Sequence, residues 1–341
     1  MNESSAPFII GEAGVNHNGS LHTAIELVEA AAASGCDAVK FQTWRTERVY
    51  SPTLSRKPEY QIESTPAGES EFETIRKLEL SYDDFRVIKA ECERRNIAFV
   101  STPDEIDSAK FLVGLGVPFL KIASQDLTNP HLIGRFAQLG VPILLSTGAS
   151  SFAEVAVAMD AVDRWCSDVA LLHCVSSYPV DVDQMNLSVI PKLQSAFGRP
   201  VGLSDHTVSS DAALVSLGLG ARIFEKHLTL DTSSEGPDHR ASMTPDELRE
   251  YCERIRKAWN GLGNGNKRVL PVEEDVRAAF SRYLVANSDL PSGHKICLDN
   301  IDFRKTSGGI APRNIDLVVG SILRAAVSSG TPLSWDQIDI V

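Results

Sequence analysis

The sequence lacks several features that would place it in a class at once. Its six cysteines, Cys36, Cys92, Cys166, Cys174, Cys252 and Cys297, are scattered and form no CxxC pair. That argues against a zinc ribbon and a disulfide framework, so reduced thiols in a cytoplasm are expected. Met1 to Gly11 carries no basic segment and only the apolar run Phe8 to Ile10, so no signal peptide is expected. No apolar run nears the roughly 20 residues a membrane-spanning helix needs. Excess positive charge is missing too: 33 Lys+Arg against 45 Asp+Glu leave a net charge of -12. Nucleic acid and anionic membrane surfaces would be repelled at long range, so neither is an expected partner. A small anionic substrate is compatible with this balance, because it responds to a few local lysines and backbone amides in a pocket.

What is present is a regular alternation of short apolar, β-prone runs with longer amphipathic segments, the pattern of βα units on a parallel sheet. Eight strands are expected: Phe8 to Glu12, Ala38 to Gln42, Ala98 to Thr102, Phe119 to Ala123, Ile143 to Thr147, Val169 to Cys174, Val201 to Ser204 and Ile223 to His227. Eight units in about 260 residues fit a (β/α)8 TIM barrel. A doubly wound open sheet is the alternative, but Gly11-Glu12-Ala13-Gly14 does not match its glycine-rich phosphate turn. Ser151 with Glu154, and Thr244 with Pro245 and Glu247, read as capping boxes, and Ser81 caps a further helix. Tyr50 to Leu80, polar and containing Pro52, Pro58, Pro66 and Gly68, reads as a long loop. Gly261 to Asn266 changes the texture of the chain. The expected division is a catalytic barrel over 1–265, a linker over 266–281 and a small unit over 282–341.

In a parallel barrel the C-terminal strand ends face the active site, and here they are unusually polar. Glu12, Lys40, Gln42, Ser101, Thr102, Lys121, Ser124, Ser146, Ser204, His206 and His227 fall at or just after these ends. Taken singly, a Ser or Thr after a strand is more often a cap, and a strand Lys more often snorkels. Their convergence on one rim is what matters, since two ammonium groups and several hydroxyls suit a phosphate together with a carboxylate. Cys174, beside the run Val169 to Leu172, reads as core packing. His206 and His227 end adjacent strands and suit an ion that shares its remaining positions with water and substrate. Spacing alone leaves open that each imidazole only hydrogen-bonds within the barrel top.

Eight segments taken in order carry a resemblance. They are Gly11 to Gly19, Val39 to Thr43, Ser101 to Pro103, Leu145 to Gly148, Leu172 to Cys174, Gly202 to Thr207, Glu225 to His227 and Gly236 to His239. With them the chain resembles the sialic acid synthase family over essentially its full length, including a small C-terminal antifreeze-like (SAF, β-clip-like) domain. The resemblance implies that His206 and His227 hold a divalent ion, Mn2+ or Mg2+. It implies that Lys40, Thr102, Lys121, Ser124, Ser146, Ser176 and Ser204 grip phosphoenolpyruvate, with Gln42 and Ser101 placed in the same substrate-binding set. Glu12, Tyr178 and Asp238 would face an amino-sugar aldehyde and the attacking water, Glu12 and Asp238 acting with the histidines in catalysis. The implied reaction joins phosphoenolpyruvate to N-acetylmannosamine or a related 2-acetamido hexose, giving a nonulosonic acid and phosphate. A 2,4-diacetamido-2,4,6-trideoxy sugar is the alternative acceptor.

The chain departs from the family pattern at three places. Ser124-Gln125-Asp126 stands where relatives commonly have Ser-Gly-Glu, and Asp104 follows Ser101-Thr102-Pro103 where they usually have Phe. In the small domain, Arg304-Lys305 stands where relatives carry an arginine that reaches the partner's active site in a domain-swapped homodimer; a lysine there lacks the bidentate fork. These departures motivate a catalytically silent sugar-binding paralogue as a rival reading. A Schiff-base aldolase using Lys40 or Lys121 is a second rival, and borohydride trapping with pyruvate separates it from a synthase.

Overall fold

The computed structural model describes residues 6–51 and 70–340, and the chain divides into two compact units, Met1–Gly263 and Asn264–Val341. In the first, eight parallel strands form a nearly closed barrel: β1 (Phe8–Gly14), β2 (Ala38–Thr43), β3 (Ala98–Pro103), β4 (Leu120–Ile122), β5 (Ile143–Ser146), β6 (Val169–Cys174), β7 (Val201–Asp205) and β8 (Ile223–His227). Hydrogen-bonded neighbours run β3-β2-β1-β8-β7-β6-β5-β4, so β1 pairs with both β2 and β8. The ladder is interrupted between β3 and β4, which pack side by side.

Strand alternation divides the barrel's residues between two cores. Inward-facing Ile10, Ala38, Val100, Leu144, Leu172 and Ile223 fill the barrel floor with Phe8, Ala98, Phe119 and Ala170. Outward-facing Ile9, Val39, Phe41, Phe99, Leu120, Leu145, Leu171, Leu203 and Phe224 join the larger core shared with the helices. Gly202 faces inward where a Cβ would come within 2.2 Å of Ile223 O and 2.7 Å of Leu172 Cδ2. Only glycine fits between those strands.

The capping boxes read from sequence are present at Ser81/Asp84, Ser151/Glu154 and Thr244/Glu247. The expected loop from Tyr50 to Leu80 needs correction: Glu71–Leu78 is a helix, with Ser70 and Glu73 forming its capping box. Pro52, Pro58, Pro66 and Gly68 lie outside the described residues.

In the second unit, a turn at Pro271–Glu273 and a short helix at Glu274–Phe280 occupy part of the expected linker. Two antiparallel pairs follow, β9 (Arg282–Ala286) with β10 (Ile301–Lys305) and β11 (Ile322–Leu323) with β12 (Ile338–Asp339). Their core is small and aliphatic: Leu284, Leu290, Ile296, Ile301, Ile310, Leu323, Leu333 and Ile338 are among its members. No described helix in either unit is long and apolar enough to cross a membrane.

Candidate active site

One pleat step above the apolar floor, every strand turns polar. Glu12, Lys40, Thr102, Lys121, Ser146, Cys174, Ser204 and Glu225 come one from each of the eight strands. All of them line a cavity of about 370 Å3, within the size range of small-molecule sites. Gln42, Ser124, Ser176, Tyr178, His206, His227 and Asp238 line the same cavity. At its entrance β1 bulges between Glu12 and Gly14, and Gly14 takes φ +51, where a Cβ would meet Glu12 Oε1 at 3.2 Å and Asp238 Oδ2 at 3.5 Å. The glycine keeps that wall open.

The lysines do not stand alone. Lys40 Nζ lies 2.8 Å from Glu12 Oε1 and donates to Thr102 Oγ1 at 3.1 Å. Glu225 sits between the two ammonium groups, 3.8 Å from Lys40 and 3.4 Å from Lys121, and accepts from Ser204 Oγ at 2.8 Å. Burial opposes its ionisation, but Lys121 and Lys40 overcome that and hold its carboxyl down at about 2. Glu12 differs: burial dominates and raises it to about 7 against the pull of Lys40. Burial also lowers Lys121, while Glu12 and Glu225 keep Lys40 above its ordinary value despite the same desolvation. Two carboxylates, two roles, follow from these surroundings.

Glu225 was not among the expected site residues. The signal was available, because counting inward from Ile223 by twos puts both Glu225 and His227 on the cavity side. The same count corrects Ser101. It faces outward, fully buried, with its Oγ 2.7 Å from Thr43 Oγ1, so the structure does not bring it to the cavity. Cys174 moves the other way, from expected core packing to the cavity wall, with its Sγ 3.7 Å from His206 Nδ1. Lys226 points outward, fully buried, against Asp205 at 3.4 Å and the ring of Tyr251. Arg304 and Lys305 lie on β10 of the second unit. There Arg304 Nε donates to Asp302 at 3.0 Å, and the Lys305 ammonium sits 4.3 Å from the Phe280 ring centroid.

The two imidazoles meet, with ring centroids 5.5 Å apart and the Tyr178 ring 4.0 Å from that of His206. His206 Nδ1 lies 2.8 Å from Val175 O, an arrangement that engages one ring nitrogen on a carbonyl and leaves Nε2 for a ligand. His227 Nδ1 is buried without a hydrogen-bond partner, 3.8 Å from Asp238 Oδ2. No group of three or more potential ligands occurs among the described residues. Two imidazoles are too few for a closed structural metal site.

A wall of small hydroxyls completes the cavity. Gly148 N–H donates to Ser124 Oγ at 3.0 Å, and a Cβ on Gly148 would lie 2.3 Å from Ser176 Oγ and 2.8 Å from Ser124 Oγ. Three segments thus pack closely here, with no room for a side chain at Gly148. Around the cavity, Glu12 Oε2, Ser146 Oγ, Glu225 Oε2 and His227 Nδ1 are all buried and lack hydrogen-bond partners.

Comparison with known proteins agrees with this arrangement. Residues 27–267 match the NeuB family, and residues 281–339 match the SAF domain. The chain belongs to the NeuB family. It is 39% identical over 97% of its length to the N,N'-diacetyllegionaminic acid synthase of Legionella pneumophila, covering 94% of that protein. It is 29% identical over 97% of its length to the human N-acetylneuraminate-9-phosphate synthase, covering 92% of it. Among solved structures, the N-acetylneuraminic acid synthetase of Leptospira borgpetersenii, in complex with citrate, superposes with a TM-score of 0.70 at 31% identity, over 81% of this chain and 93% of that one. This NeuB-family chain is an enzyme of the nonulosonic acid synthase kind, a TIM barrel followed by a SAF domain.

Proposed function

We propose that the barrel condenses phosphoenolpyruvate with an acetamido-sugar aldehyde and releases phosphate by carbon-oxygen cleavage. The observation that carries this reading is the set of buried polar atoms without hydrogen-bond partners, on residues lining one cavity that also holds Lys40 and Lys121. Buried polar groups are normally paired, so such a set marks where a polar ligand sits. Lys40, Thr102, Lys121, Ser124, Ser146, Ser176 and Ser204 bind and orient the enol phosphate and its carboxylate. His206 and His227 would hold Mn2+ or Mg2+, which supplies Lewis-acid polarisation of the acceptor's carbonyl when bound.

Carbon 3 of the enol phosphate attacks the aldehyde carbon, and water captures the oxocarbenium-like centre left at carbon 2. Glu12, raised toward neutrality and inside the cavity, takes the proton of that water. Its residual negative charge also stabilises the centre. Glu225, seated between the two ammonium groups, holds Lys40 and Lys121 in place. Tyr178, Gln42 and Asp238 line the acceptor side.

The relatives support a choice of acceptor. The two named N,N'-diacetyllegionaminic acid synthase are 39% and 36% identical, against 29% for the human neuraminate-9-phosphate synthase. This ordering favours a 2,4-diacetamido-2,4,6-trideoxy hexose over N-acetylmannosamine. The enzyme is proposed to act in the cytoplasm as a domain-swapped homodimer, with Arg304 or Lys305 serving the partner's cavity.

The decisive experiment is incubation with phosphoenolpyruvate, manganese and a panel of both aldehyde types, reading phosphate release and the 2-keto sugar acid. Phosphate release with neither acceptor type would refute the reading. His206→Ala is expected to abolish metal-dependent turnover while the barrel stays folded.

A further inference from the structure

Two carboxylic acids flank the break in the strand ladder between β3 and β4. Asp104 directly follows β3, is tied by its backbone N–H to Thr43 O at 3.1 Å, and lines the cavity beside Lys40, Lys121 and Ser124. Asp126 ends the turn Ser124–Asp126 after β4, and its Oδ2 is buried without a hydrogen-bond partner. The reading above gives neither residue a role. An ionised carboxylate next to Lys40 would oppose an incoming anion; a neutral one would offer it a hydrogen bond and a proton. Burial, then Asp126, with a smaller contribution from the adjacent Glu105, push Asp104 up to about 8 against the pull of Lys40. Burial pushes Asp126 up to about 6. A buried acid kept protonated beside a lysine in the cavity is suited to give up its proton to a leaving group.

We propose that Asp104, beside the β3/β4 break, is the proton donor to the departing phosphate. This rests on the synthase reading. When the phosphohemiketal collapses, the bond between carbon 2 and the bridging oxygen breaks with its electron pair moving to that oxygen. The Asp104 proton passes to the same oxygen. The carbon-2 hydroxyl loses its own proton to water as the carbonyl forms, and Asp104 regains a proton from solvent once phosphate has left.

The test compares wild type, Asp104→Asn and Asp104→Glu, each loaded with manganese. Asparagine keeps the size and a hydrogen-bond donor but has no transferable proton. Asp104→Asn is expected to bind phosphoenolpyruvate within about 3-fold of wild type near pH 7, with unchanged KM, while kcat falls on the order of 100-fold, the usual contribution of a general acid. Asp104→Glu is expected to recover part of kcat. In calorimetric titrations across alkaline pH, wild type is expected to lose affinity for phosphoenolpyruvate as Asp104 ionises, and Asp104→Asn is expected to lose less. An unchanged kcat in Asp104→Asn would overturn the proposal, as would a kcat loss matched by lost binding near pH 7. If wild type turns over no acceptor, the synthase reading fails, and superimposable pH profiles of phosphoenolpyruvate binding would then separately overturn the role of Asp104.

Discussion

Replacing Lys226 tests whether strand alternation separates chemistry from structure within a single tripeptide. Glu225 and His227 face the cavity, whereas Lys226 is fully buried outside the barrel between β7, β8 and the helix Pro245–Leu262. Its ammonium donates to Thr207 O and lies 3.4 Å from Asp205 Oδ2. Asp205 also accepts from Tyr251 OH at 3.1 Å and from Thr207 N and Oγ1 at 2.9 and 2.8 Å. In Lys226→Met the Asp205 charge would stay buried without its counter-ion, a loss typically worth about 3–5 kcal/mol. The three remaining hydrogen bonds place the expected value near the lower end, about 3 kcal/mol. Adding Asp205→Asn removes the stranded charge, so the double variant should be more stable than Lys226→Met, with a coupling energy of about 1.5 kcal/mol or more. Urea unfolding followed by tryptophan fluorescence measures all four proteins of the cycle. Additive single effects, or a loss below about 1 kcal/mol in Lys226→Met, would refute the reasoning. So would a folded Lys226→Met whose kcat fell as far as that of a cavity variant.

Two further expectations follow from the geometry and the buried histidine. Gly148→Ala should leave the fold intact but weaken phosphoenolpyruvate binding about 10-fold or more, because its Cβ would crowd Ser176 and Ser124 at 2.3 and 2.8 Å. Calorimetry measures this, and unchanged affinity would remove the hydroxyl wall from the binding site. Buried His17, which accepts from Gly19 N at 3.0 Å, is held by desolvation at about 4, below its ordinary 6.5. The unfolded chain binds that proton first as pH falls, so stability present above about 6.5 is lost progressively down to about 4, by about 3 kcal/mol. His17→Gln should flatten that part of the stability profile, and an unaltered profile would place the acid sensitivity elsewhere.

Much of the barrel was legible because parallel strands covered on both faces are apolar runs, and all eight expected strands are present with their ends shifted by at most two residues. The cavity was legible to the extent that strand ends were read as positions. Reading them also by alternation would have included Glu225 and excluded Ser101. The helix Glu71–Leu78 was missed because its polar composition and the nearby prolines resemble a loop, although Ser70 and Glu73 carry the capping-box spacing. The bracing roles of motif residues were not legible either. His239 Nε2 lies 3.3 Å from Asn18 Oδ1, and Asn16 donates to Leu228 O and Ser242 Oγ at 2.8 and 2.9 Å. They hold the loops after β1 and β8 together, and such contacts join positions more than two hundred residues apart in the chain.

The same distance bears on how the protein is made. Phe8 pairs with Ile223, so during synthesis the first barrel strand waits for the eighth. At ordinary elongation rates that delay is roughly 10–45 s. Throughout it one edge of β1 is unpaired, and β1 is an apolar strand able to template the wrong neighbour. Mutations that slow or weaken β8 should therefore show first as poor yield of nascent protein, before any defect appears in the purified enzyme.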